Sequence, residues 1–215
     1  MQKLKKIILY GAPILAALVL WAHAGEFHTV RWVDDGDTIV LDDGMKVRYI
    51  GINAPEIAHG NPPAEPFGPE ASVFNRKLVL HQPVRLQTDR ESTDRFQRTL
   101  AYVFLKDGTF VNQELVRSGM AHVLYVFPNV TYDAVLLKTQ QEAMTAGRGM
   151  WRNWRETPDS YIGNTRSRRF HLKTCPSGRE MSFRNRVVFH RKWDAFYEGY
   201  APCKTCMPSG AIERR

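Results

Sequence analysis

Several features that define other classes of protein are missing from this sequence of 215 residues. It has no internal repeat and no low-complexity run, which excludes a repeat protein and a disordered tail. Cysteine is scarce, with three residues in the whole chain and none before position 175. The content of 43% hydrophobic and 24% charged residues is typical of a globular protein with one core and an appendage.

A net positive charge is also lacking in most of the chain, although the formal net charge of the whole sequence is +8. Residues 25–160 contain 15 lysines and arginines against 18 acidic residues, whereas residues 161–215 contain 12 against 4. The positive charge therefore lies in the C-terminal tail. Such a tail indicates a polyanionic partner such as nucleic acid. A tail that only aids solubility, or that attaches the protein to an acidic envelope surface, stays open as an alternative.

The first 24 residues have the organisation of a secretory signal peptide. Three lysines precede an apolar run, and the segment closes with the pattern Ala22-His23-Ala24, which is typical of a cleavage site. The run is short for a membrane span, which needs about 20 apolar residues. Cleavage after Ala24 predicts a periplasmic or secreted protein, and retention of the segment predicts an N-terminal membrane anchor. Either way we expect the rest of the chain to be exported.

The hydrophobic pattern predicts a mixed α+β fold that is mainly β. Residues 30–52 alternate like a β-meander with Asp-Asp-Gly turns, and residues 54–69 form a loop rich in proline and glycine. Beyond the loop we expect helices near 70–80, 111–119 and 132–145, strands at 83–88 and 98–105, and a strand-like or buried segment at 121–127. Five strands with two or three helices indicate a five-stranded barrel of the OB type.

Four charged residues of this body are of the kinds that phosphodiester cleavage requires, namely Asp37, Arg48, Glu56 and Arg98. Arginine suits a phosphate because its planar fork donates paired hydrogen bonds and keeps its charge. A glutamate can deprotonate a water, and an aspartate is a hard oxygen ligand for Ca²⁺. Taken singly, each residue is more often structural, so the evidence lies in their arrangement.

The arrangement resembles that of the thermonuclease, or staphylococcal nuclease, family. The resemblance covers about residues 26–152 in separate blocks. These blocks are D-G-D-T (35–38), V-R-Y-I-G-I-N-A-P-E (47–56), F-G-P-E-A (67–71), D-R-F-Q-R-T-L-A-Y-V (94–103) and V-N-Q-E-L-V-R-S-G (111–119). It implies that Arg48 and Arg98 bind the phosphate, and that Glu56 is the general base that activates water.

The resemblance also implies a calcium site. Asp37 falls on a calcium-ligating aspartate, and Ala54 falls where a backbone carbonyl completes the coordination. Asn53 departs from the family, which usually has a second ligating aspartate there. An amide oxygen can still bind calcium, but one negative charge is lost, so we expect weaker affinity.

Further positions correspond to substrate contacts of the family. Arg95 replaces a lysine and keeps its charge, whereas Phe96 replaces a tyrosine and loses a hydroxyl. Tyr125 matches a tyrosine of the nucleotide pocket, and Phe127 replaces another. A stacking surface is therefore expected to survive.

The tail has the donor count and spacing of one tetrahedral zinc site. Its donors are His171, Cys175, Cys203 and Cys206, which include every cysteine of the chain. The alternative is a disulfide between Cys203 and Cys206 with Cys175 free, because exported proteins meet an oxidising compartment. That pairing requires neither His171 nor Cys175 at metal spacing.

Residues 161–209 resemble the small zinc domain of the Ada methyl-phosphotriester repair proteins, notably in G-Y-A-P-C-K-T-C-M-P (199–208). Where that domain has a methyl-accepting cysteine, this chain has His171, so methyl transfer is not expected. The implied role is a zinc-stapled basic platform for DNA. We expect the tail aromatics to pack in a small core rather than to stack on bases; these are Trp193, Phe196, Tyr197 and Tyr200.

Together these patterns predict an exported, monomeric, calcium-dependent endonuclease that acts on DNA and RNA and leaves 3′-phosphates. The predicted organisation is a signal peptide or anchor at 1–24, a nuclease domain at 25–156 and a zinc module at 161–209. The alternative is a noncatalytic nucleic-acid-binding protein of the cell envelope, for example one that handles DNA during uptake. Asn53 is the residue that favours this alternative.

Overall fold

The computed structural model describes residues 26–58, 60, 63–156 and 160–207. The predicted signal peptide lies outside these residues. Among the helices of the described ranges, none has the length and apolar character needed to cross a membrane.

This described part of the chain contains eleven strands and five α-helices. The strands are β1 (Phe27–Val33), β2 (Thr38–Leu41), β3 (Lys46–Tyr49), β4 (Ile52–Asn53), β5 (Pro83–Gln87), β6 (Thr99–Leu105), β7 (His122–Val123), β8 (Tyr161–Asn164), β9 (Arg169–Leu172), β10 (Arg186–Phe189) and β11 (Ala201–Pro202). The helices are α1 (Gly68–Val79), α2 (Val111–Arg117), α3 (Asp133–Thr145), α4 (Pro176–Arg179) and α5 (Lys192–Tyr197).

The predicted five-stranded barrel is confirmed. Its strands close in the order β1-β2-β3-β6-β5, with β3 and β6 parallel and the other pairs antiparallel. Alternate residues of the strands point inward and fill the barrel, as expected for a small closed sheet. The fully buried side chains of this core include Val30, Val33, Ile39, Leu41, Val47, Val84 and Val103.

The chain leaves the barrel sooner than the pattern predicts. A single strand was expected to continue to residue 52, but β3 ends at Tyr49 and the chain turns at Gly51, whose φ is +78°. A side chain there would also lie 2.6 Å from Leu136, so the turn requires glycine. The following residues form β4, which pairs with β7 so that Asn53 lies opposite His122.

Residues 160–207, which we call the C-terminal unit, contain a sheet of their own. Its four strands follow the order β10-β8-β9-β11. The polar segment at 164–169 could be interpreted from sequence as a linker or as the first turn of a second unit. In the structure this segment is a turn of the C-terminal unit, because Asn164 pairs with Arg169 in the hairpin of β8 and β9.

The C-terminal unit shares a hydrophobic core with the body. Trp151 packs its ring against Phe196 with ring centroids 5.2 Å apart, and the side chain of Gln140 donates a hydrogen bond to the carbonyl of Phe196. Of the four tail aromatics expected in a small core, Phe196 and Tyr200 are buried and Trp193 packs on Trp151 of the same core, while Tyr197 is 37% exposed. This core holds the C-terminal unit against α3, and Phe196 also packs on the ring of His122 in β7.

Candidate active site

Asp37 and Arg48 are the centre of a buried polar network. Asp37 precedes β2, and the β2–β3 register pairs Thr38 with Arg48, which brings the two charges together. One carboxylate oxygen of Asp37 lies 3.0 Å from Nε of Arg48, and the other accepts the N–H of Ala54 at 2.7 Å. Burial raises the pKa of the Asp37 carboxyl above its ordinary value, and the Arg48 guanidinium opposes this rise.

Arg48 also fixes the turn that follows its own strand. Its Nη1 donates to the carbonyls of Tyr49 and Ile52, and its Nη2 donates to Oδ1 of Asn53 at 3.3 Å. The amide nitrogen of Asn53 donates in turn to the carbonyl of Ala54 at 3.0 Å. Only 12% of the Arg48 side chain is exposed, so the guanidinium is held rigidly where strand and loop meet.

The oxygens implied as calcium ligands lie together in this network. They are the carboxylate of Asp37, the amide oxygen of Asn53 and the carbonyl of Ala54, and each accepts a hydrogen bond. All three are hard oxygen donors, so they fit calcium in kind. The set has one anionic ligand, whose charge Arg48 already balances, and this predicts a weak site.

Glu56 lies in the loop after β4, and two contacts position it. Its backbone N–H donates to the Glu65 carboxylate at 3.0 Å, and its carbonyl accepts the N–H of Glu65 at 2.9 Å. Helix α1 approaches the same backbone so closely that a Cβ on Gly68 would lie 2.2 Å from the Glu56 carbonyl oxygen. The glycine of the F-G-P-E-A block therefore allows α1 to support this loop.

The side chain of Glu56 has a partner that no motif of the chain predicts. Its Oε1 lies 2.6 Å from Nζ of Lys204, which belongs to the C-terminal unit and lies between Cys203 and Cys206. Both side chains are well exposed, at 46% and 61%. The only sequence signal for this contact was the basic charge of the tail.

Arg98 shares a cavity with Arg48. The cavity is open, has a volume of about 530 Å³, and is also lined by Arg95, Phe96 and Arg169 of the C-terminal unit. Arg98 makes an ion pair with Asp94, whose Oδ2 lies 2.8 Å from both Nε and Nη2. Glu56 does not line the cavity, although its charge acts on Asp37.

The predicted substrate contacts are placed unequally around this cavity. The guanidinium of Arg95 lies over the ring of Phe96, 4.7 Å from its centroid, and both residues line the cavity. Phe96 is 63% exposed and Phe127 is 71% exposed, so aromatic faces are open to solvent. Tyr125 is half-buried and does not line the cavity, in contrast to its neighbours Leu124 and Val126.

The four donors expected from the tail form a compact cluster. One ligand atom from each of His171, Cys175, Cys203 and Cys206 lies within 4.8 Å of all the others. All three cysteines are free thiols, so the alternative disulfide is not formed. Burial and the neighbouring cysteines raise the pKa of the Cys206 thiol to about 12. Three crowded sulfurs with one imidazole are soft donors in tetrahedral number, which fits zinc.

A closed five-stranded barrel with a buried Asp37–Arg48 pair beside an open cavity lined by arginines, and with Glu56 in the loop after β4, is the arrangement expected of a protein that acts on phosphodiesters. Comparison with known proteins agrees with this assignment. Residues 46–153 match the family described as staphylococcal nuclease homologue. The chain therefore belongs to this family.

Individual relatives support the same class. A thermonuclease of Staphylococcus intermedius is 42% identical over 130 residues, which are 59% of this chain and 77% of the relative. A thermonuclease of Staphylococcus hyicus is 36% identical over 66% of this chain and 85% of the relative. Endonuclease YncB of Bacillus subtilis is 37% identical over 54% of this chain and 57% of the relative. The protein is thus a phosphodiesterase of the endonuclease class that hydrolyses nucleic acid.

Proposed function

We propose that this protein is an exported, calcium-dependent nuclease that cleaves both DNA and RNA. The observation that supports this most strongly is the bonded group of Asp37, Arg48, Asn53 and Ala54 beside the cavity that Arg98 also lines. In this proposal Glu56 is the general base, and Arg48 and Arg98 bind the scissile phosphate.

Arg48 keeps donors to offer a substrate. Of the five N–H groups of its guanidinium, three donate hydrogen bonds to Asn53 and to the carbonyls of Tyr49 and Ile52, and Nε lies 3.0 Å from the Asp37 carboxylate. The remaining N–H of Nη2 is held by a rigid fork, so it can meet a phosphate oxygen without reorganisation. Arg98 uses Nε and Nη2 on Asp94 and keeps its other donors for the phosphate.

The reaction is a hydrolysis at phosphorus. Glu56 accepts a proton from a water, and the resulting hydroxide attacks phosphorus in line with the leaving oxygen. The bond from phosphorus to the 5′-oxygen breaks, and that oxygen takes a proton from solvent. One fragment then ends in a 3′-phosphate and the other in a 5′-hydroxyl.

The metal ions have separate roles in this proposal. Calcium would be held by Asp37, Asn53 and the Ala54 carbonyl, and it would supply positive charge to the phosphate oxygens. Zinc would be held by the cluster of His171 and the three cysteines as a structural ion. The C-terminal unit would then be a basic, Ada-like platform for nucleic acid that transfers no methyl group.

The test is the release of acid-soluble nucleotides from denatured DNA by the full chain, with calcium titrated. We expect calcium-dependent release that Glu56→Gln abolishes. A matched control is Glu142→Gln, because Glu142 is an exposed carboxylate of α3, a helix that supplies none of the proposed site residues. If neither calcium nor another divalent ion supported release, the proposal would fail.

Asn53 favours a second candidate function, a noncatalytic nucleic-acid-binding protein of the cell envelope. The lost anionic ligand is the observation behind it. This candidate predicts that DNA binds without being cut and that Glu56→Gln changes binding alone. The same assay, run beside a binding measurement, separates the two candidates.

A further inference from the structure

The C-terminal unit reaches the nuclease site at two separate points. Arg169, the first residue of β9, lines the same cavity as Arg48 and Arg98. Lys204 contacts Glu56, which lies outside the cavity lining. The two contacts come from different segments of the unit, so the whole unit is docked beside the site. The shared core around Trp151 and Phe196 holds it there.

The surroundings of Arg169 favour the binding of an anion. Its side chain is half-buried, and in the described part of the chain its guanidinium has no hydrogen-bond or ion-pair partner. Arg48 is paired with Asp37 and Arg98 with Asp94, whereas Arg169 lines the same cavity without a carboxylate partner in the described part of the chain, so its charge is open to an anionic ligand.

The metal-binding cluster can hold this arginine in place. Arg169 and His171 are two residues apart on β9, so their side chains point to the same face of the sheet. The N–H of Cys203 bonds to the carbonyl of Phe170, which ties the Cys203–Cys206 segment to the same strand. Both Arg169 and Lys204 thus lie within two residues of a donor of the cluster.

We propose that Arg169 binds a phosphate of the substrate next to the scissile one, which makes the C-terminal unit a part of the active site. This inference rests on the proposed nuclease function, in which Arg48 and Arg98 hold the scissile phosphate. Arg169, a further arginine on the same cavity wall, then meets the neighbouring phosphate of the same strand. The site therefore suits a polynucleotide, and its kcat/KM is higher for substrates that have more than one phosphodiester.

The test compares two substrates with the full chain and its Arg169→Ala and Arg169→Gln variants. One substrate is a single-stranded oligonucleotide, and the other is a dinucleotide with one phosphodiester. We expect kcat/KM on the oligonucleotide to fall by about 10-fold, as for loss of one charged hydrogen bond, with less than about a 2-fold change on the dinucleotide. Arg166→Ala is the matched control, because Arg166 is an exposed arginine of the β8–β9 turn.

Binding gives a readout that does not depend on turnover. In a Glu56→Gln background, replacement of Arg169 should reduce the slope of log Kd against log salt for single-stranded DNA by about 0.7, the value for one phosphate contact. Zinc content and the melting temperature of each variant should match those of its parent.

Each other outcome contradicts a stated part of the account. An equal loss on both substrates would place Arg169 on the scissile phosphate, and no loss on either would remove it from the site. A loss of zinc together with activity would make Arg169 a partner of the metal cluster. If the unmodified chain cut neither substrate, the proposed function would fail instead, while the salt slope would still decide for or against a phosphate contact.

Discussion

His122 provides a stability test whose magnitude follows from the structure. The residue is 5% exposed, lies on β7 and packs its ring against Phe196, so it belongs to the seam between the body and the C-terminal unit. Burial lowers its pKa from 6.5 to about 4, and the positive charges of Arg169, Lys204 and Arg48 act in the same direction. The hydrogen bond between Nδ1 and the Val123 carbonyl, at 2.9 Å, opposes this shift.

The sign of the pH dependence follows from the direction of this shift. Between pH 6.5 and 4, His122 is mostly protonated in the unfolded chain but mostly neutral in the folded chain. The contribution of neutral His122 to the free energy of unfolding is therefore fully present above pH 6.5 and is lost as the pH falls toward 4. A shift of this size corresponds to about 3 kcal/mol, because each pKa unit is worth about 1.4 kcal/mol.

The assay is urea unfolding of the full chain and of His122→Asn at a series of pH values between 7.5 and 4.5. Asparagine can keep a donor to the Val123 carbonyl but does not titrate. Other groups titrate in both proteins, so the difference between the two curves isolates His122. We expect the unfolding free energy of the variant, relative to wild type, to rise by about 2 to 3 kcal/mol as the pH falls. A constant difference across this range would refute the reasoning.

Two further predictions concern the loop of the base and the metal cluster. Gly68→Ala should push the Glu56 carbonyl away, because the added Cβ would lie 2.2 Å from the carbonyl oxygen. We expect nuclease activity to fall about 10-fold or more while the fold is retained. Unchanged activity would show that α1 does not position Glu56. Chelation of bound metal should lower the melting temperature and make the cysteines around His171 reactive to a thiol reagent. Equal thiol reactivity before and after chelation would argue against a metal at this cluster.

Local pattern was enough to predict the barrel, and the resemblance to the nuclease family supplied the candidate residues of the site. Asp37 and Arg48 lie on neighbouring strands of one hairpin, so the alternation and its turn determine their register. Asn53 and Ala54 follow within a few residues, and Asp94 reaches Arg98 across four positions. Contacts of this kind depend on short stretches of chain, which is why they could be predicted.

The contribution of the C-terminal unit could not be predicted in this way. Lys204 meets Glu56 across a separation of 148 residues, and this contact depends on how aromatic side chains such as Trp151 and Phe196 pack. No periodicity or motif encodes such docking. The predicted boundary of the zinc module and the roles of the site residues stay predictions.

The central claim is that Glu56 acts in the chemical step, and single-turnover kinetics test this most directly. Enzyme in excess over a labelled single-stranded oligonucleotide would be mixed with saturating calcium, while fluorescence anisotropy reports binding of the same substrate. The account predicts that Glu56→Gln lowers the cleavage rate by about 100-fold or more with Kd changed by less than about 3-fold. A variant that cleaves at the wild-type rate would contradict the assignment of Glu56 as the base.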